Sequence, residues 1–186
     1  FEGKSGELNR NAASIAMGAL YGARLARHDL LRAIQRLAEK FHAWTPLETK
    51  KLHRLVEFIN STLDYRQYAF IGDDWADLEL AIFVDADLAS DKGDYKSTSG
   101  ALLVLIGPNT FFPIAPFCKK QGPVSLSTPE AELVALTTVL KDMGLPCLSL
   151  WELVLGKKVV LRIYEDNEAT QKIIASGKFK AMSHVN

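Results

Sequence analysis

Apolar residues recur at helical spacing through the first 65 residues of the chain. Residues 12–40 are rich in Ala, Leu and Arg and poor in strand-forming residues, which predicts two helices with a break near Arg27. A third helix is predicted to run from Pro46 to about Asn60, because Thr45 can cap it and proline suits the first helical turn. This part of the chain is therefore predicted to be helical.

The spacing changes after residues 71–75, a polar, glycine-containing connection that we interpret as a domain boundary. Four short apolar runs bounded by turn residues predict strands, at 80–85, 101–106, 110–115 and 159–164. Helices are predicted from Ser127 to about Asp142, at 148–155 and at 168–176. The short connection between the second and third strands indicates an antiparallel hairpin, and Pro113 indicates an edge or a bulge. The order β-β-β-α-α-β-α predicts an α/β mixed sheet with helices packed on it.

Composition restricts the class of protein. The chain has 186 residues, 48% apolar and 24% charged, so it can form a hydrophobic core and is not generally disordered. No uninterrupted run approaches the ~20 apolar residues that span a bilayer. Cys118 and Cys147 match no disulfide framework or zinc spacing, so we expect a reducing, intracellular compartment, the cytoplasm or nucleus. The chain begins without Met or a signal peptide, and we expect it to be a fragment of a longer protein.

The net charge of zero conceals an uneven distribution. Residues 1–70 carry 11 Lys and Arg against 7 Asp and Glu, a net charge of +4, whereas residues 71–186 carry 11 against 15, a net of −4. This indicates either two ordinary solvated surfaces or a basic helical part beside a domain that gathers carboxylates. Charge alone does not indicate a nucleic-acid-binding protein.

Three acidic residues stand where side chains of this fold class can converge. Asp85 ends the first predicted strand and Asp166 follows the fourth, so the two meet at one sheet edge if these strands are parallel neighbours. Glu132, in the first turn of the main helix, can reach the same point. Three carboxylates without a basic partner repel one another, and Mg²⁺ with its preference for oxygen ligands relieves the repulsion. Two such ions about 4 Å apart could activate a water and stabilise a leaving oxygen in phosphodiester cleavage.

Each acidic residue also has a structural interpretation. Asp85 can cap a turn, Asp166 can belong to a helix N-cap, and Glu132 can interact with the helix dipole. Asp87 would lie on the same face as Asp85 if the strand continued, which makes it a weaker candidate ligand. Glu130 fits a capping box and is assigned to structure.

A resemblance to a known family rests on the order and spacing of five segments. These segments are residues 84–87, 96–100, 119–121, 125–136 and 164–169. They resemble the ribonuclease H domain of copia-type retrotransposon Pol polyproteins. Residues 12–66 resemble the segment that joins the reverse-transcriptase palm to that domain. The resemblance implies a helical connection segment over residues 1–70 and, over residues 76–186, a C-terminally truncated ribonuclease-H-like domain. Its mixed sheet should have three antiparallel strands and one parallel strand.

The resemblance also implies a reaction, cleavage of the RNA strand of an RNA–DNA hybrid by two Mg²⁺ ions held on Asp85, Glu132 and Asp166. The strand before Asp166 should then lie parallel to the first, and the second and third strands should pair antiparallel with the first. The implied partners are the hybrid and the reverse-transcriptase domain of the same polyprotein, with no membrane. The alternative is a catalytically inactive remnant that acts as a nucleic-acid-binding or scaffold segment.

Further residues have roles only if the resemblance holds. Lys119 and Lys120 could contact the phosphate backbone, and the hydroxyls of Ser97, Thr98 and Ser99 could donate hydrogen bonds to it, although surface lysines and a polar loop explain them equally.

The end of the sequence departs from the family pattern. The family's fourth acidic residue either corresponds to Asn186, with its charge lost, or lies beyond the chain, and His184 is either an assisting group or an ordinary surface histidine. The Asp-Asp motif of the polymerase palm is missing from this sequence, so polymerase activity is not expected.

Overall fold

The computed structural model describes residues 9–90 and 93–177, with side chains from Asn11 onward. The chain divides into two units, residues 1–68 and 69–186. That the first unit follows a reverse-transcriptase palm, and that the second is truncated, both stay predictions.

The first unit is helical, as predicted, with α1 at Asn9–Leu25, α2 at Leu31–Ala38 and α3 at Pro46–Ser61. A single 3₁₀ turn, His28–Leu30, separates α1 from α2 and confirms the predicted break. Thr45 caps α3, because its Oγ1 accepts a hydrogen bond from the Leu47 N–H at 3.2 Å. The core of this unit is formed by Ala12, Ala16, Ala23, Leu30, Ile34, Leu37, Trp44, Leu52 and Leu55.

The second unit contains a four-stranded sheet in the order β3-β2-β1-β4. The strands are β1 at Glu79–Asp87, β2 at Thr98–Gly107, β3 at Thr110–Lys120 and β4 at Leu161–Tyr164. β1 pairs antiparallel with β2 and parallel with β4, while β3 pairs antiparallel with β2. This mixed sheet with packed helices confirms the predicted ribonuclease-H-like α/β class.

One predicted pairing was wrong in detail, since β3 pairs with β2 and not with β1. The two-residue connection between β2 and β3 forces them to be neighbours, and β4 occupies the other edge of β1. β3 is an edge strand, and its register shifts where Leu103 faces Ala115 while Val104 faces Pro113. Pro113 therefore lies both in an edge strand and at a bulge, which confirms both alternatives of the prediction.

The helices of the second unit are α4 at Thr128–Val139, α5 at Leu145–Leu155 and α6 at Glu168–Ser176. A π-helical turn, Leu140–Gly144, joins α4 to α5, so the interruption predicted between residues 142 and 148 is absent there. Pro146 lies in the first turn of α5, directly after the π-helical turn.

By length and composition alone, the joined helix Thr128–Leu155 is long and apolar enough to cross a membrane. Its first part is a core helix, because α4 packs on β1 and β2 and contributes Ala131, Ala135, Leu136 and Val139 to the core beneath the sheet.

Candidate metal centre

Asp85 is exposed within β1, where side chains alternate between the two faces of the sheet. Val84 and Ala86 are buried on one face, and Asp85 and Asp87 are exposed on the other. The strand was predicted to end on Asp85 but continues to Asp87, because β2 extends far enough to pair with the last two residues. Asp87 therefore shares the face of Asp85.

Asp166 lies between the end of β4 and the start of α6. β4 runs parallel to β1 with Tyr164 opposite Phe83, and Asp166 follows two residues after the end of β4, as Asp85 follows two residues after Phe83. The cap of α6 is Asn167, whose side-chain oxygen accepts the Thr170 N–H at 3.0 Å. The capping interpretation thus applies to Asn167, and the Asp166 carboxylate is available for another role.

Glu132 reaches the same point from α4. The helix begins after Ser127, whose hydroxyl accepts the Glu130 N–H at 3.4 Å. Glu130 also acts at the helix start, as predicted, because its carboxylate accepts the N–H of Leu126 at 2.8 Å. Glu132, in contrast, is only 3% exposed and turns towards the strand ends.

The structure brings Asp85, Glu132 and Asp166 together. Each offers a carboxylate oxygen, and these oxygens all lie within 4.8 Å of one another. Within residues 9–90 and 93–177, none of the three forms an ion pair with Lys or Arg. One Glu132 oxygen, Oε2, is buried and accepts no hydrogen bond.

The electrostatics follow from this crowding. Burial is the largest cause that raises the pKa of Glu132, and the nearby Glu165, Asp85 and Asp166 carboxylates raise it further, so that it reaches about 8. A backbone hydrogen bond from Ala86 acts in the opposite direction.

Glu165 is a further carboxylate near this group, and sequence reasoning did not single it out. Burial raises its pKa, and a hydrogen bond from the Asn167 backbone opposes the shift, while Asp166 and Asp85 add to it.

The donor set fits a hard divalent cation. All the ligand atoms are carboxylate oxygens, which Mg²⁺ prefers, and the unpartnered Glu132 oxygen needs a positive or donating partner. Asp85, Glu132 and Asp166 are the residues that could hold such an ion.

Of the residues expected to contact nucleic acid, the lysines lie near the surface and the hydroxyl residues are buried. Lys119 and Lys120, at the end of β3, pair with Asp142 at 3.2 Å and Asp94 at 2.9 Å. Both lysines are near the surface, and their contact with a phosphate backbone stays a prediction.

The three hydroxyl residues face inward. The Ser97 hydroxyl accepts the Ala89 N–H at 3.1 Å, and the Ser99 hydroxyl accepts the side-chain N–H of Gln121 at 3.0 Å. Thr98 is also buried. The expectation that these hydroxyls donate to a nucleic-acid backbone therefore needs correction, because they are buried inside the protein. His184 and Asn186 lie outside the described residues.

Comparison with known proteins identifies sequences that are similar to this chain. No family model matches the chain. The chain is 30% identical, over 170 residues, to the retrovirus-related Pol polyproteins from transposons RE1 and RE2 of Arabidopsis thaliana. The chain resembles a segment of a retrotransposon Pol polyprotein. The match covers 91% of the chain but only 11% of the length of each polyprotein.

Proposed function

We propose that residues 69–186 hydrolyse the RNA strand of RNA–DNA hybrids in a Mg²⁺-dependent reaction, as a segment of a retrotransposon Pol polyprotein. The observation that supports this is the convergence of three carboxylates within 4.8 Å at the ends of two parallel strands and a helix. The similarity to retrovirus-related Pol polyproteins from transposons supports the assignment of this reaction to a polyprotein segment.

In this proposal each residue of the centre has a defined task. Asp85 on β1 and Asp166 after β4 are held at a fixed separation by the parallel pairing of their strands, and Glu132 closes the site from α4. Two Mg²⁺ ions, when bound, would activate the attacking water and stabilise the leaving oxygen. The three carboxylates would bind and orient the ions, and their negative charge would neutralise part of the positive charge that the ions add.

The rest of the surface would hold the hybrid. Lys119 and Lys120 would contact phosphates, which makes hybrid binding weaken as salt is raised. The remaining partner is the reverse-transcriptase domain of the same polyprotein, which would deliver the hybrid.

The test is single-turnover cleavage of an RNA–DNA duplex by the purified chain, with Mg²⁺ or with EDTA. We expect cleavage with Mg²⁺ only, and none after Asp85→Asn. Asp77→Asn is the matched control, because Asp77 is an exposed aspartate in the turn before β1 and should leave the rate unchanged.

Two outcomes decide against the proposal. If the folded chain binds the hybrid but never cleaves it, the alternative of a binding or scaffold segment is correct. If Asp85→Asn cleaves as fast as the unchanged chain, the carboxylate cluster does not perform the reaction.

A further inference from the structure

Gln121 follows directly after β3, and its side chain is buried between β2 and α4. Only 6% of the residue is exposed. Its Nε2 donates two hydrogen bonds, one to Ser99 Oγ at 3.0 Å and one to the carbonyl oxygen of Ala131 at 2.9 Å. Its Oε1 accepts the hydroxyl of Ser125 at 3.3 Å. Both N–H groups and the oxygen of this amide are therefore used.

The two hydrogen bonds of Nε2 join a strand to a helix. Ser99 lies in β2 and is 1% exposed, whereas Ala131 lies in the first turn of α4 and is fully buried. Apolar contacts alone would hold the helix on the sheet without fixing its exact place, because the hydrophobic effect is not directional. Hydrogen bonds depend on distance and angle, so the amide of Gln121 fixes the first turn of α4 relative to β2.

Both ends of this amide bridge lie next to residues of the metal centre. Ser99 pairs with Ala86 across the sheet, and Ala86 directly follows Asp85. Ala131 directly precedes Glu132, whose carboxylate accepts a hydrogen bond from the backbone of Ala86. The bridge therefore links the helical turn that carries Glu132 to the strand pair that carries Asp85.

The metal centre depends on the spacing that this bridge fixes. The oxygens of Asp85, Glu132 and Asp166 lie within 4.8 Å of one another, although they come from three different elements. Mg²⁺ takes its oxygen ligands at about 2.0–2.1 Å in a nearly ideal octahedron, so it tolerates little displacement of a ligand. A small shift of α4 along the sheet would carry Glu132 out of reach of an ion held on the two aspartates.

We propose that Gln121 is a positioning residue of the metal centre, which holds Glu132 at the distance from Asp85 that a shared divalent cation requires. This inference rests on the proposed function, because it assumes that the centre binds such a cation. Gln121 acts through the backbone of Ala131 and not by contact with the ion or the substrate.

The experiment measures Mn²⁺ binding without nucleic acid, from the electron paramagnetic resonance signal of free Mn²⁺, an ion that takes the same oxygen ligands as Mg²⁺. Gln121→Met is the informative variant, because methionine has a similar volume but no N–H to donate. We expect Mn²⁺ binding to weaken about tenfold, as it does when a residue that orients a metal ligand is replaced. With Mg²⁺, the single-turnover cleavage rate should fall while hybrid affinity is retained.

Thr110→Val is the matched control. Thr110 begins β3 at the end opposite Gln121, is 5% exposed, and its hydroxyl accepts the Gly72 N–H at 3.1 Å. Both substitutions remove a buried hydrogen bond, so both variants should unfold at a lower temperature. Only Gln121→Met should bind Mn²⁺ more weakly, which separates positioning from a general loss of stability.

The outcomes separate this inference from the proposed function. If Asp85→Asn weakens Mn²⁺ binding and Gln121→Met does not, the metal centre stands and the role of Gln121 is overturned. Equal weakening by Thr110→Val would overturn it too, and if the unchanged chain binds no Mn²⁺, the proposed function fails together with this inference. Should Gln121→Met not fold, Ser99→Ala removes only the β2 end of the bridge, and unchanged Mn²⁺ binding in that variant would also overturn the role of Gln121.

Discussion

Glu130 and Glu132 are two residues apart on α4 and serve different purposes. Positions two apart on a helix differ in direction by about 200°, so the two carboxylates cannot face the same site. Glu130 stabilises the helix start through the Leu126 N–H, while Glu132 joins the acidic cluster. Both side chains are buried, so burial alone does not distinguish them.

This difference predicts opposite effects of two similar substitutions. Glu130→Gln should have little effect on cleavage, because the glutamine oxygen still accepts the Leu126 N–H. Glu132→Gln should lower the single-turnover cleavage rate by orders of magnitude and leave hybrid affinity nearly unchanged, because the centre acts on the transition state more than on bound substrate. Rates and affinities of both variants with one RNA–DNA duplex provide the measurement, and the reverse order of effects would contradict the assignment.

The raised pKa of Glu132 predicts how stability depends on pH without metal. The folded chain keeps this proton up to about pH 8, whereas the unfolded chain releases it near the ordinary glutamate pKa of 4.5. Between these values the folded state binds more protons, so its stability falls as pH rises. Glu165 shifts in the same direction and adds to the loss.

Thermal melts in EDTA at about pH 5 and about pH 8 test this expectation. The unchanged chain should lose more stability across this interval than Glu132→Gln, which carries no such proton. Saturating Mg²⁺ should reduce the loss, because the cation compensates the ionised carboxylates. Equal pH dependence of the two proteins in EDTA would show that Glu132 ionises normally.

The π-helical turn between α4 and α5 depends on a glycine that lies close to the sheet. A Cβ atom at Gly144 would lie 2.8 Å from Ile82 Cδ1, 3.3 Å from Leu140 Cδ2 and 3.4 Å from Leu161 Cδ2. Gly22, inside α1, has open space around the same position. The two glycines are therefore present for different reasons.

Substitutions at these glycines should change stability in opposite directions. Gly144→Val should destabilise the chain by about 1–3 kcal/mol, because it overpacks the contact with β1 and β4. Gly22→Ala should stabilise the first unit by about 0.5–1 kcal/mol, because alanine favours the helix and meets no neighbour. Urea unfolding of both variants measures the two effects. Stabilisation by Gly144→Val would mean that the helix does not lie this close to the sheet.

The two units are joined by an exposed stretch of chain. Residues 65–72 are exposed and, apart from one bridge between Phe70 and Phe111, lie outside helices and strands. Arg66 forms hydrogen bonds with the nearby carbonyls of Leu63 and Tyr65. Few contacts protect this peptide from a protease.

Limited trypsin digestion should therefore cut early after Arg66 and release fragments that begin or end there. Arg66→Gln should remove this cut and leave the other cleavages unchanged. Mass spectrometry of the first products is the measurement. If the first cuts fall within either unit and Arg66→Gln changes none of them, residues 65–72 do not separate two independently folded parts.

Features that depend on nearby residues could be predicted from the sequence alone. The start of α3 at Thr45 and Pro46, the break near Arg27 and the cap of α6 at Asn167 all involve residues within four positions of one another. Short apolar runs bounded by turn residues likewise located the strands, and the short β2–β3 connection required a hairpin. The convergence of Asp85 and Asp166 could be anticipated, because parallel neighbours end at the same sheet edge.

Other features depended on contacts between distant segments, which local patterns do not contain. β1 extends past Asp85 because β2 supplies partners for its last residues, and the helix continues through Gly144 because it packs against Ile82. The same reason explains the raised pKa of Glu132. Only the packing of α4 against β1 and β2 buries its carboxylate, because burial and charge interactions are set by what folds against a residue and not by its neighbours in sequence.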